Sequence, residues 1–250
     1  NTKAYGGLAA GDGVGCAVDA GEIVGVIGPN GAGKTTLFNA VAGVESPDAG
    51  SVVLRETELT GARPNAVCRS GIARTFQSVR TFDESTVREN VLAGAVFGGR
   101  RRDRDAARSA VDAALDLVDL AADAGRHASD LPIAARKRVG LARALATDPD
   151  VLLLDEVGSG LTPAEIDDLT ETVSRIRSER GVAVVWIEHV TDALFAVADR
   201  VLVLDDGSLI ANGTPAEVRT DDRVAVAYPS GAVGGDAGGA AGGDAAGSTA

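Results

Sequence analysis

The stretch that most constrains this chain is Gly28-Pro29-Asn30-Gly31-Ala32-Gly33-Lys34-Thr35-Thr36. It fits the spacing G-x-x-x-x-G-K-[ST] of a phosphate-binding loop, with Gly28, Gly33, Lys34 and Thr35 at the fixed positions. Before it, Glu22 to Ile27 is a short apolar, β-branched run that predicts a buried strand. After it, Lys34 to Ala42 places Leu37, Val41 and Ala42 on one side of a predicted helix, which Gly43 ends. Glycines remove side chains, so successive backbone N–H groups can converge on an anion, and the helix aims its N-terminal dipole at the same charge. Lys34 is expected to reach the β- and γ-phosphates of a nucleotide, and the Thr35 hydroxyl to bind Mg²⁺. Glycine is common here, 32 of 250 residues, but lysine occurs only as Lys3, Lys34 and Lys137. Chance therefore supplies on the order of 0.005 such matches in the whole chain.

A chain of 250 residues can bury a full core as one large domain or two small ones. No apolar run approaches a membrane span and the start shows no signal-peptide pattern, so the expectation is a soluble chain, held at a membrane only through a partner. Cys16 and Cys68 match no metal or redox spacing and read as unpaired thiols of a reducing cytoplasm. The net charge of −12 argues against a nucleic-acid surface. Abundant Asp with little Lys suggests a salt-loving, GC-rich source, in which an acidic surface keeps the protein soluble.

Along the chain, Val14 to Val18 alternates weakly and predicts an outer strand. Ser51 to Leu54 predicts another, after the Pro47-Asp48-Ala49-Gly50 turn. Pro64 to Ser70 reads as a short helix stopped by Gly71, and Ile72 to Gln77 as a strand-like run ending on a polar amide. Thr86 to about Leu145 is mostly helical by pattern. Within it, Arg100 to Arg104 is the one dense basic cluster and reads as a solvated helix start in preference to a contact with lipid head groups. Pro163 to Glu179 predicts a helix with Ile166, Leu169, Val173 and Ile176 on one face. Val201–Leu204 and Leu209–Ala211 predict a hairpin through Asp206-Gly207. From about Pro229 the chain has little to bury and predicts a disordered Gly/Ala/Asp tail over 229–250.

Two further strands carry chemistry. Val151-Leu152-Leu153-Leu154 ends in Asp155-Glu156, and its C-terminal edge is expected to face the phosphate loop. There Asp155 can help hold Mg²⁺ and Glu156 can polarise a water. Val182 to Ile187 ends in Glu188-His189, and a neutral imidazole at that edge can donate to a phosphate oxygen. Trp186 reads as core. His127 lies in a polar loop with no visible partner and is assigned no role.

Strand, phosphate loop and helix, then Gln77, then Asp155-Glu156, then His189, in this order, resemble the ATP-binding subunit of an ABC transporter. Gly71-Ile72-Ala73-Arg74-Thr75-Phe76-Gln77, Ile187-Glu188-His189 and Ala211-Asn212-Gly213-Thr214-Pro215-Ala216-Glu217-Val218 look more particularly like the branched-chain amino-acid uptake group. The resemblance spans roughly Thr2 to Tyr228. It implies an α/β fold: a RecA-like P-loop NTPase core with a small antiparallel β subdomain and an α-helical subdomain at about 85–147, all within one domain over 1–228. It also implies ATP and Mg²⁺ as cofactors. Gly28, Pro29, Asn30, Gly31, Ala32, Gly33, Lys34, Thr35 and Thr36 would hold the phosphates and Tyr5 would stack on adenine. Thr35, Gln77 and Asp155 would serve the metal. Glu156 would be the catalytic base, His189 the γ-phosphate switch, and Gln77 the coupling to the membrane subunit.

The implied partners are a second ATPase subunit, identical or not, permease subunits in the membrane and, indirectly, an extracytoplasmic solute-binding protein. That places the chain at the cytoplasmic face of the membrane. Three departures stand out. The family carries a strand ahead of the aromatic at Tyr5, and this chain begins too late to supply it. Val157 stands where a proline is expected. In the signature segment Leu131 to Arg138, Pro132 and Ala134 replace a serine and a glycine. Pro132 has neither hydroxyl nor backbone N–H to offer a γ-phosphate, and Ala134 adds a methyl where the backbone approaches closely. The expectation is that the chain keeps its own phosphate site and offers its partner a weakened one. Restoring Ser and Gly should then raise turnover. The alternatives are an ATPase of another transport system, for lipid or another solute, and a regulatory half of a heterodimer with little turnover. A DNA-repair or translation ATPase is disfavoured, because no long coiled-coil insertion or second ATPase domain is present.

Overall fold

In the computed structural model the described residues are 3–5, 8–11, 13–78, 80–99, 103–189 and 191–227, with backbone alone for 3–5, 8–11 and 191. The expected tail at 229–250, the stacking role of the Tyr5 side chain and Arg100 to Arg102 of the basic cluster lie outside what is described.

The chain opens with β1 (Lys3–Tyr5) and β2 (Leu8–Gly11), an antiparallel pair. The next elements are β3 (Ile23–Ile27), α1 (Lys34–Val41) and a small hairpin of β4 (Val53–Leu54) and β5 (Thr57–Glu58). Then come α2 (Pro64–Ser70) and β6 (Ile72–Arg74). A helical block follows: α3 (Val87–Ala93), α4 (Arg104–Leu117) and α5 (Ile133–Leu145). The remainder alternates: β7 (Val151–Asp155), α6 (Pro163–Arg180), β8 (Ala183–Ile187), α7 (Thr191–Val197), β9 (Arg200–Asp205) and β10 (Ser208–Gly213). Two short helices, α8 (Pro215–Arg219) and α9 (Asp222–Ala227), close the described chain.

One six-stranded sheet, in the order β10-β9-β3-β8-β7-β6, organises the core. Only β10 runs antiparallel to its neighbour; the other pairings are parallel. A parallel sheet covered on both sides needs strands without a polar face. All five residues of β3 and of β8 are buried accordingly. Alternation along the strands then sends side chains to opposite faces. Leu152, Leu154, Val184, Trp186, Val201 and Val203 join the helical block in one cluster. Leu153, Val185, Ile187, Leu202 and Leu204 join Phe38 of α1 and Val67 of α2 in the other. Each fully buried Leu, Ile or Phe here contributes about 1.5–3 kcal/mol relative to exposure. Helix starts follow their local sequence. Thr86, Thr162 and Thr214 each accept from the backbone N–H three residues on, and Glu89, Glu165 and Glu217 bond back to the capping residue. Each such cap is worth about 1 kcal/mol.

Several expectations are corrected. Val14 to Val18 forms no strand: Val14 packs into the second cluster, with Val18 against it, but Gly15, Cys16 and Ala17 between them are exposed and give a ladder nothing to bury. The strand at Ser51–Leu54 shrinks to Val53–Leu54 because the chain reverses at Arg55, whose φ is 56°, and returns as β5. Among the described residues the antiparallel strands outside the main sheet form two two-stranded pairs, β1 with β2 and β4 with β5. The helical run after Thr86 is broken, with a π-helical turn at Gly94–Gly98 closing α3. His127 does have partners: Nδ1 donates to the Glu84 carbonyl at 3.0 Å, and its backbone bridges to Thr86, pinning the start of α3.

Candidate active site

Because β8 lies between β3 and β7, the segments leaving these three strands meet along one edge of the sheet. The phosphate loop leaves β3, Glu156 leaves β7, and Glu188-His189 leave β8. In the loop, Gly28 is required by space: a Cβ there would sit 2.4 Å from the Leu204 carbonyl oxygen. Gly33, at φ 95°, makes the left-handed turn into α1 that disfavours any side chain. Residues Asn30 to Thr36 and Glu156 line a cavity of about 170 Å³. Lys34 is 5% exposed. Its Nζ donates to the carbonyls of Gly28 at 2.7 Å and Pro29 at 3.0 Å, drawing the loop around itself. Burial lowers the ammonium pKa, while Glu156 and then Asp155 pull it back up.

Glu156 sits at φ 49°, a left-handed conformation that costs a non-glycine residue about 1–3 kcal/mol. That turn lifts its carboxylate off the end of β7. Gln77 Nε2 donates to Oε2. His189 Nε2 lies 2.8 Å from Oε1, so both carboxylate oxygens are engaged. The structure thus brings Gln77, Glu156 and His189 together beside the phosphate loop, although they come from three separate strand ends. Thr35 is exposed at the first turn of α1.

Three residues given no role in the sequence reading hold this arrangement. Arg74 pairs with Asp155 at 2.6 Å. Lys137 Nζ, on α5, donates to the carbonyls of Val157 at 2.9 Å and Ser159 at 2.6 Å. Glu188, 4% exposed, accepts on Oε1 from Gly158 N–H at 2.6 Å and from Trp186 Nε1–H at 3.1 Å. Burial pushes the Glu188 carboxyl above its usual range despite these bonds. Among the described residues no cluster of His, Cys, Asp or Glu is dense enough to cage a metal by itself. A Mg²⁺ carried by nucleotide phosphates needs no such cage, only one or two oxygens. Asp155 and the Thr35 hydroxyl are of that type.

A phosphate loop, its lysine and an acid pair at the end of a strand two places along the same sheet define the class of P-loop nucleoside-triphosphatases. The family is narrower. Residues 12–159 match the family model of the ABC transporter, and the chain belongs to that family as one of its ATPase subunits. It is 38% identical over 237 residues to the high-affinity branched-chain amino acid transport ATP-binding protein LivG of Salmonella typhimurium, covering 90% of this chain and 93% of that one. It is 37% identical over 241 residues to BraF of Pseudomonas aeruginosa, described by the same function, covering 91% and 94%. Its fold superposes on the ADP conformation of MJ1267, an ATP-binding cassette of an ABC transporter, with a TM-score of 0.83 and 30% identity over 92% of this chain and 96% of that one.

Proposed function

We propose that this chain hydrolyses Mg-ATP to drive import of branched-chain amino acids through membrane-embedded permease subunits. The observation that carries the hydrolytic part is the Glu156 carboxylate, held between Gln77 and His189 at the mouth of the phosphate loop. Glu156 takes a proton from a water. The water oxygen bonds to the γ-phosphorus as the bond to the bridging oxygen breaks, and ADP and phosphate leave. Lys34 and the loop N–H groups hold the phosphates. Asp155, Thr35 and Gln77 would hold Mg²⁺, which supplies charge neutralisation when bound. Each carboxylate oxygen carries a second lone pair, so Glu156 can accept from a water while Gln77 and His189 hold its orientation.

The import part is supported by the similarity to LivG and BraF along almost the whole chain. No helix of the described residues is long and apolar enough to cross a membrane, which suits a subunit held at the cytoplasmic face by others. A groove of about 380 Å³ between the Gln77 segment and the helical block suits a permease segment. Its rim carries Phe76, Phe82 and Phe97, all more than half exposed. The exposed Pro132 and Ile133 at the start of α5 suit contact with a second ATPase subunit, and an extracytoplasmic binding protein would deliver the solute.

A second reading, an impaired half of a heterodimer, is favoured by Pro132, which stands as the N-cap of α5 with no side-chain bond to the helix. Uptake of labelled leucine into vesicles holding the chain and its permease subunits tests the proposal, with Glu156→Gln as control. ATP-driven uptake lost in the variant is expected. ATP-driven uptake of other solutes, with none of leucine, isoleucine or valine, would overturn the amino-acid assignment.

A further inference from the structure

Arg74 is the last residue of β6, and Gln77 follows it closely. Its side chain and that of Asp155 are each only 9% exposed, and Nη2 lies 2.6 Å from Asp155 Oδ2. Nη1 donates to Asn39 Oδ1 on α1 at 2.7 Å. The guanidinium also lies over the rings of Phe38 and Phe76, at 5.7 and 5.5 Å from their centroids. One planar cation therefore ties the helix that leaves the phosphate loop, the strand that ends in the acid pair and the strand that leads to Gln77. Nε, by contrast, is buried with no hydrogen-bond partner among the described residues.

Stability alone is a poor account of this contact. Taking both charges out of water offsets most of their attraction, and apolar replacements of buried pairs are often as stable. The geometry suits another task. Among the described residues no hydrogen bond or ion pair reaches Asp155 Oδ1, while Oδ2 is fixed. Asp155 ends β7 directly before Glu156, which lines the phosphate-loop cavity together with Lys34 and Thr35.

We propose that Arg74 is a positioning residue for the metal–nucleotide site. By holding Oδ2 it fixes the Asp155 carboxylate with Oδ1 left for the divalent cation, and it couples that orientation to the segment bearing Gln77. This rests on the Mg-ATP reading above, not on the solute or on transport. Partners that orient a metal-binding group change metal affinity by about 10–100-fold when removed.

The test is equilibrium ATP binding to the full chain, measured once with Mg²⁺ and once with EDTA, so that the ratio of affinities reports the metal alone. Arg74→Met should lower that ratio at least tenfold and leave the EDTA affinity near wild type. Asp155→Asn should lower it as far, and the double variant, which has no lone buried charge and so folds even where the single one fails, should lower it no further than Asp155→Asn. A ratio unchanged in Arg74→Met, or a further fall in the double variant, would overturn the proposal. So would a wild-type protein that binds ATP equally with and without Mg²⁺.

Discussion

Lys34 and Lys137 are two of the three lysines in the chain, and they use the same device in two places. Each donates its ammonium to two backbone carbonyls. Lys34 closes the phosphate loop through Gly28 and Pro29; Lys137 closes the turn after Glu156 through Val157 and Ser159. Burial lowers the pKa of both. They differ in what opposes that burial. Glu156 and Asp155 face Lys34, so its charge belongs to the reacting site, whereas Glu188 faces Lys137 from a neighbouring strand end. One lysine can exchange its carbonyls for phosphate oxygens. The other has only the protein to hold.

The largest difference between the two should appear in binding. Lys34→Met removes a charge-assisted donor from the phosphates and should weaken ATP binding on the order of 100-fold, read by displacement of a fluorescent nucleotide. Lys137→Met should leave that affinity within about twofold and lower turnover about tenfold, because the freed carbonyls loosen the turn that carries Glu156. Equal losses of binding in both variants would erase the distinction.

What could be read from the sequence divides along the same line. Lys34 was legible because its partners lie within six residues and the glycine spacing is tied to one chemistry. So were the strand ends at Asp155-Glu156 and Glu188-His189, since apolar runs ending in acids mark a parallel sheet edge. Lys137 reaches carbonyls 20 and 22 residues away, and Arg74 an acid 81 residues away. No local pattern carries such pairings; they exist only once β6, β7 and α5 have packed. Val14 to Val18 failed for the converse reason. Its alternation was local, and nothing beyond Val14 and Val18 was there to pack.

A smaller effect sharpens the comparison from the side of Glu188. Its folded pKa is raised above the ordinary 4.5, so the folded chain holds that proton more tightly than the unfolded one. Stability associated with the protonated form is therefore present below pH 4.5 and lost as pH rises through the folded value. Glu188→Gln keeps an oxygen to accept from Gly158 and Trp186 and removes the titration. Its urea midpoint should match wild type in acid and exceed it modestly at neutral pH, and a variant less stable at neutral pH would show that the charge facing Lys137 is needed.

The measurement that bears most directly on the whole account is Mg-ATP turnover by the purified chain beside Glu156→Gln, with nucleotide affinity determined for both. A general base typically contributes about 100- to 10,000-fold, so turnover should fall by at least two orders of magnitude while ATP is still bound through Lys34. Equal turnover in the two proteins would contradict the assignment of Glu156 as the base and, with it, the reading of this sheet edge as the hydrolytic site.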